Sequence, residues 1–98
     1  MSKKKFYHAT PYDNLWSILC HGIRRGHDGV VYLAETREAA LKFICIRCFE
    51  PILVIEVELD ETQVEESFDH SYAFFKSKAY IYPQNILPDQ LGKMWRYD

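Results

Sequence analysis

Cysteine is scarce in this 98-residue chain. The three present, Cys20, Cys45 and Cys48, are an odd number and too few for the disulfide framework of a small secreted domain. They read as free thiols. Cys45 and Cys48 have CxxC spacing, but no second CxxC or HxxxH pair follows to complete a four-ligand zinc site, and no metal site is expected. They also end a helical pattern, whereas a thioredoxin-type redox pair opens a helix after a strand. Long apolar runs are missing too: Phe43 to Ile46 and Ile52 to Ile55 are four residues each, against about 20 for a bilayer span. Lys3, Lys4 and Lys5 are followed by Phe6, Tyr7, His8 and Thr10-Pro11, so the basic start lacks the apolar region of a signal peptide. The expected address is cytoplasmic, with no membrane partner. Nor is there a basic excess. A net charge of −2 and a pI near 6.1 argue against a dedicated nucleic-acid binder. With no repeat, low-complexity tract or Gly/Ser linker, residues 1–98 read as one domain.

What the chain does have is material for a core: 48% hydrophobic residues, 15% aromatics and 27% charged residues, a balance that excludes disorder. Charge is unevenly placed. Residues 1–49 hold eight Lys/Arg against four Asp/Glu, and residues 50–98 hold four against ten. The simplest reading is two solvated faces, of which the basic one can meet phosphate.

Lys5 to Ala9 is short, aromatic and closed by Thr10-Pro11, which predicts a strand. Thr10 is placed as the cap and Pro11 as the first residue of a following helix, with Leu15, Ile18 and Leu19 as its stripe and Gly22 as its stop. Val30 to Ala34 is β-branched and aromatic, a second strand. Thr36 then caps a helix whose apolar face is Ala39, Ala40, Phe43 and Ile44 and which Pro51 ends. Ile52 to Leu59 is the clearest strand: Leu53, Ile55, Val57 and Leu59 alternate with Val54, Glu56 and Glu58, so one face is buried and the other partly wet. Asp60-Glu61-Thr62 turns the chain into a polar loop running to about Ser77. Ala79 to Tyr82 and Leu91 to Tyr97 are further strands, separated by Pro83 and Pro88. The order β, α, β, α and then mainly β is an α+β domain.

One constellation points toward chemistry: His8 at a strand end, a loop with Arg24, Arg25 and His27, and Tyr32 in the next strand. Singly, each has a plainer reading. A strand histidine is ordinarily a satisfied structural residue, a strand tyrosine a core aromatic, and loop arginines solvated charge. A Gly-flanked basic loop is also a reasonable phosphate clamp.

Taken in order, Phe6-Tyr7-His8-Ala9-Thr10, Asn14-Leu15, Ile18-Leu19 and Gly22-Ile23 resemble the first motif of ADP-ribosyltransferases of the diphtheria-toxin and poly-ADP-ribose-polymerase type. Val30 to Glu35, followed by Ala39-Ala40 and Phe43, is similar to that family's second motif. Ala79 to Tyr82, with Ile86, Pro88 and Leu91, resembles its closing strands. The resemblance implies a split β-sheet with two helices in the N-terminal half, NAD as ligand and substrate, and transfer of ADP-ribose to an acceptor, protein or nucleic acid. It implies that His8 binds the adenosine-side ribose, that Tyr32 stacks on nicotinamide and that Phe43 closes the ring sandwich. Ala9 then supplies backbone groups in place of the family's amide-binding glycine, with Thr10 beside it in the motif. A flat cationic ring between aromatic faces is well held, and the oxocarbenium-like transition state of its release calls for a nearby carboxylate.

At that last point the chain departs from the pattern. The family's catalytic glutamate aligns with Ala79, and its carboxamide-binding serine with Ala40. Asp69 and His70, just upstream, are the substitutes expected as pocket carboxylate and general base. An alternative is an RNA 2′-phosphotransferase-like enzyme: that branch shares the fold and the use of NAD without that carboxylate, and Arg24, Arg25 and His27 would hold the phosphate, but it carries histidine where this chain has Tyr32. The alternative to an enzyme is a binding or inhibitor module that keeps the fold without the chemistry.

Overall fold

The computed structural model describes residues 3–26, 29–44, 51–67 and 79–97, with residues 43, 44 and 67 described by backbone alone. Asp69, His70, His27, Cys45 and Cys48 lie outside the described residues. Among the described residues, six strands and two α-helices occur in the order β1 (Lys3–Pro11), α1 (Leu15–His21), β2 (Val31–Ala34), α2 (Arg37–Ile44), β3 (Ile52–Asp60), β4 (Glu65–Ser67), β5 (Ala79–Tyr82) and β6 (Leu91–Tyr97). The α+β class and the early position of both helices follow the reading of the sequence. The strands form one antiparallel sheet in the order β4-β5-β2-β1-β3-β6.

Pairing within this sheet is uneven. β1 and β3 match over nine residues, from Lys3 opposite Asp60 to Pro11 opposite Ile52. β1 and β2 match at one pair, Tyr7 with Ala34. Two three-stranded halves, β4-β5-β2 and β1-β3-β6, therefore meet at a narrow seam.

Alternation along the strands gives each face its own core. Phe6, Val31, Leu33, Leu53, Ile55, Val57, Leu59 and Tyr82 pack with Ile18 of α1 on one face. Ala34, Ile52 and Val54 pack with Ala39 and Ala40 of α2 on the other. Val54 is thus as fully buried as its neighbours on β3, and the partly wet side of that strand begins only at Glu56.

Thr10 does not cap α1. β1 continues through Pro11, whose missing N–H suits the end of a strand, and a 3-10 turn over Tyr12–Asn14 precedes the helix. The buried Thr10 hydroxyl accepts instead from the Asn14 amide at 2.7 Å. Gly22 does close α1. Its φ of 78° is a left-handed conformation open to glycine, and a Cβ there would run into the Ile86 carbonyl. Thr36 acts as the expected cap of α2, its hydroxyl accepting from the Ala39 N–H at 3.1 Å. The Asp60 carboxylate does the same for Thr62 at 3.0 Å, turning the chain after β3. β4 is the one strand the polar composition concealed: Glu65–Ser67 was expected as loop, yet it pairs with β5.

Candidate functional site

β1 is held firmly by β3 on one side and loosely by β2 on the other, and His8 sits where the two diverge. It is opposite Ile55 of β3. Across the seam its Nδ1 lies 2.9 Å from the carbonyl oxygen of Tyr32. A carbonyl only accepts, so Nδ1 carries the proton. Burial pushes the imidazole below its ordinary pKa of 6.5, while the Tyr32 carbonyl pulls in the opposite direction and offsets part of that fall. The ring is accordingly neutral near pH 7, with Nε2 as an acceptor. Nε2 makes no hydrogen bond among the described residues, and no buried side-chain nitrogen or oxygen there lacks a partner, so this acceptor reaches solvent.

Tyr32 offers its backbone to His8 and its ring outward, 45% exposed. By strand alternation the ring shares a face with Ala34 and with the residues paired across from them, Ile81 and Ala79. α2 packs over β1, β2 and β3 on that face. The helix carries Phe43 in its backbone, the residue expected to close the ring sandwich. Small side chains floor the region: Ala34, Ala39, Ala40 and Ala79 are all buried.

The structure brings the His8 imidazole to the Tyr32 backbone, while the two rings leave opposite faces of the sheet: His8 pairs with Ile55 on the Phe6 face, and Tyr32 shares its face with Ala34, beside which Ala9 is half-buried. Thr10 is committed to Asn14. The side chains of Arg24 and Arg25 are exposed on the loop after α1. That loop is tied to the β5–β6 connection by an Ile23–Ile86 bridge and by the Arg25 N–H, which donates to the Asn85 side chain at 2.8 Å.

Sequence reasoning missed a group of polar contacts at the end of β2. The Tyr80 hydroxyl donates to the Glu35 carboxylate. Burial, Glu35 and then Glu66 all push the Tyr80 phenol well above its ordinary value. The signal was present only as Glu35 following an apolar strand, which by itself reads as an exposed turn residue.

A shallow groove of about 410 Å³ lies elsewhere, lined by Lys3, Lys5, Glu56, Glu58 and the Asp89–Gly92 segment. Two of its charges are engaged with each other, Lys5 with Glu56 at 3.7 Å, and Glu56 also accepts from the Tyr7 hydroxyl at 3.4 Å. Among the described residues no group of three or more His, Cys, Asp or Glu is placed to hold a metal ion, and no helix is long and apolar enough to cross a membrane. No protein-family model matches this chain, and no curated protein matches it at a significant level.

Proposed function

We propose that this chain is an ADP-ribosyltransferase-like domain that binds NAD at the seam of its sheet and transfers ADP-ribose to an acceptor. The observation that carries this reading is the hydrogen bond from the His8 imidazole to the Tyr32 carbonyl, beside the one-pair junction of β1 and β2. Two residues 24 positions apart, singled out by their motifs, meet at the place where a split sheet would open. A neutral His8 with Nδ1 engaged presents Nε2 to a ribose hydroxyl. The exposed Tyr32 face offers a stacking surface for a cationic pyridinium ring. α2 packs over the alanine-floored face and carries Phe43 in its backbone. Arg24 and Arg25, exposed on the loop after α1, are the basic pair offered to the pyrophosphate. The exposed free thiol of Cys20 suits a reducing, cytoplasmic setting.

Titration calorimetry with NAD and with ADP-ribose, followed by assay of free nicotinamide, tests the reading. Saturable binding that disappears in a His8→Ala, Tyr32→Ala double variant is the expected result. A wild-type protein that binds neither ligand at millimolar concentration overturns it.

A second reading, a non-catalytic binding module, is favoured by Ala79. This residue is buried, pairs with Ala34 and carries no carboxylate. Binding of NAD without nicotinamide release, across a panel of acceptors, distinguishes that module from the enzyme.

A further inference from the structure

We propose that the exposed face of α1 is a self-association surface, on which a second copy of this chain lays its own α1 antiparallel about a two-fold axis. The helix is apolar over more of its circumference than the core covers. Ile18 is buried against the sheet, and Leu15 packs partly beside it. Trp16, Leu19 and Cys20, spaced at i, i+3 and i+4, form a second apolar stripe turned away from Ile18. All three are exposed, Trp16 by 74%.

Large apolar side chains are otherwise well covered. Of the four that are exposed among the described residues, Trp16, Leu19 and Leu87 gather at this helix and only Tyr32 lies elsewhere. Leu87 is brought there by the close approach at Gly22, where a Cβ would stand 3.1 Å from the Leu87 carbonyl carbon. The 3-10 turn that follows Leu87, Pro88–Gln90, packs against α1. An apolar grouping of this kind marks an interaction site, where a single exposed leucine does not.

Charge selects the occupant. Asp13, three residues before Trp16, is exposed at one end of the stripe, and Arg24 and Arg25 are exposed beyond the other. None of these three side chains makes a hydrogen bond or ion pair with a described residue. Turned antiparallel, two such surfaces set Trp16 of each copy over Leu19 of the other and bring each Asp13 to the opposing arginine pair. From the midpoint of Trp16 and Leu19, Asp13 lies about 7 Å along the axis on one side; on the other the helix runs about 5 Å to His21 before the arginine loop. Each contact then occurs twice, as a two-fold interface requires. A tryptophan beside two arginines also suits an anionic membrane, but that surface would repel Asp13 and the exposed Asp89 of the turn after Leu87. A seven-residue helix with its flanking loop makes a small interface, so the dimer is of the transient, salt-sensitive class.

Sedimentation velocity of the full-length chain over about 5–500 μM tests the proposal. It is run without nucleotide, because Arg24 and Arg25 are also the pair offered to pyrophosphate above, and its result stands whatever the NAD titration gives. The wild type is expected to pass from monomer to dimer as concentration rises. Trp16→Ser is expected to weaken dimerisation at least about 10-fold with the circular dichroism of the wild type. Asp13→Arg, and separately an Arg24→Asp, Arg25→Asp double variant, place like charges at both ends and are each expected to remain monomeric. An equimolar mixture of the two restores both ends and is expected to dimerise. A wild type that is monomeric at every concentration overturns the proposal, including the case in which it binds phosphatidylserine vesicles instead. Dimerisation unchanged by Trp16→Ser overturns it in favour of another surface. Charge variants that fail to rescue each other overturn it too, because the two-fold pairing of ends demands that rescue.

Discussion

The imidazole of His8 donates from Nδ1 to the backbone carbonyl of Tyr32 at 2.9 Å, so a side chain of β1 completes the hydrogen bonding of β2 where the two strands cease to pair. In a continuous ladder a backbone N–H would meet that carbonyl. Here the histidine does, and this couples the stability of the seam to the protonation and orientation of the residue proposed to bind ligand.

A pH dependence follows. The unfolded chain protonates His8 near 6.5, and the folded chain only at lower pH. Between those values the unfolded state binds more protons, so the His8 contribution to stability is present above about pH 6.5 and is lost as pH falls. Urea denaturation of wild type and His8→Gln from pH 5 to pH 8 is expected to show a steeper acid loss in the wild type. Parallel profiles would contradict it.

Stability and binding separate at the two site residues. Removing the imidazole in His8→Ala deletes its hydrogen bond to the Tyr32 carbonyl and costs about 0.5–1.5 kcal/mol. Tyr32→Ala trims an exposed ring and changes stability by about 0.5 kcal/mol or less. Both variants are expected to lose NAD binding, and denaturant midpoints measured beside the titrations check the contrast.

Gly22→Ala is expected to be among the most damaging single substitutions. The new Cβ meets the Ile86 carbonyl, which bonds the Ile23 N–H at 2.8 Å, and the backbone there holds a φ of 78°. Strain and overpacking together predict a loss of about 2–4 kcal/mol, read from the urea midpoint.

α2 is fastened to the far edge strand through Arg37. Its guanidinium stacks 4.4 Å from the centre of the Trp95 ring and donates to the Tyr97 hydroxyl at 3.3 Å. A double-mutant cycle of Arg37→Ala and Trp95→Leu is expected to give a favourable coupling of about 0.5–2 kcal/mol. Additive losses would show that the stacking carries no energy.

β3 and β5 were legible because their apolar residues and breakers mark strands locally, and α2 because Thr36 and the Ala39-Ala40 pair mark its start and buried stripe. The capping role assigned to Thr10 failed for a tertiary reason: β3 offered nine partners to β1, and the strand ran on through Pro11. β4 was hidden because Glu65-Glu66-Ser67 has the composition of a loop, and only the open edge of β5 draws it into the sheet.

The amino-acid sequence by itself determined the alternation of strands and helices, the chain breaks at Gly22 and Asp60, and His8 and Tyr32 as residues to watch, because these depend on neighbours within a few positions. Tertiary structure alone decided that the sheet is joined by one pair at its centre, that an imidazole bridges the gap, and which of two adjacent glutamates shares a face with Tyr32. Those outcomes depend on register between strands distant in the chain, and a slip of one residue would exchange the faces of Glu65 and Glu66.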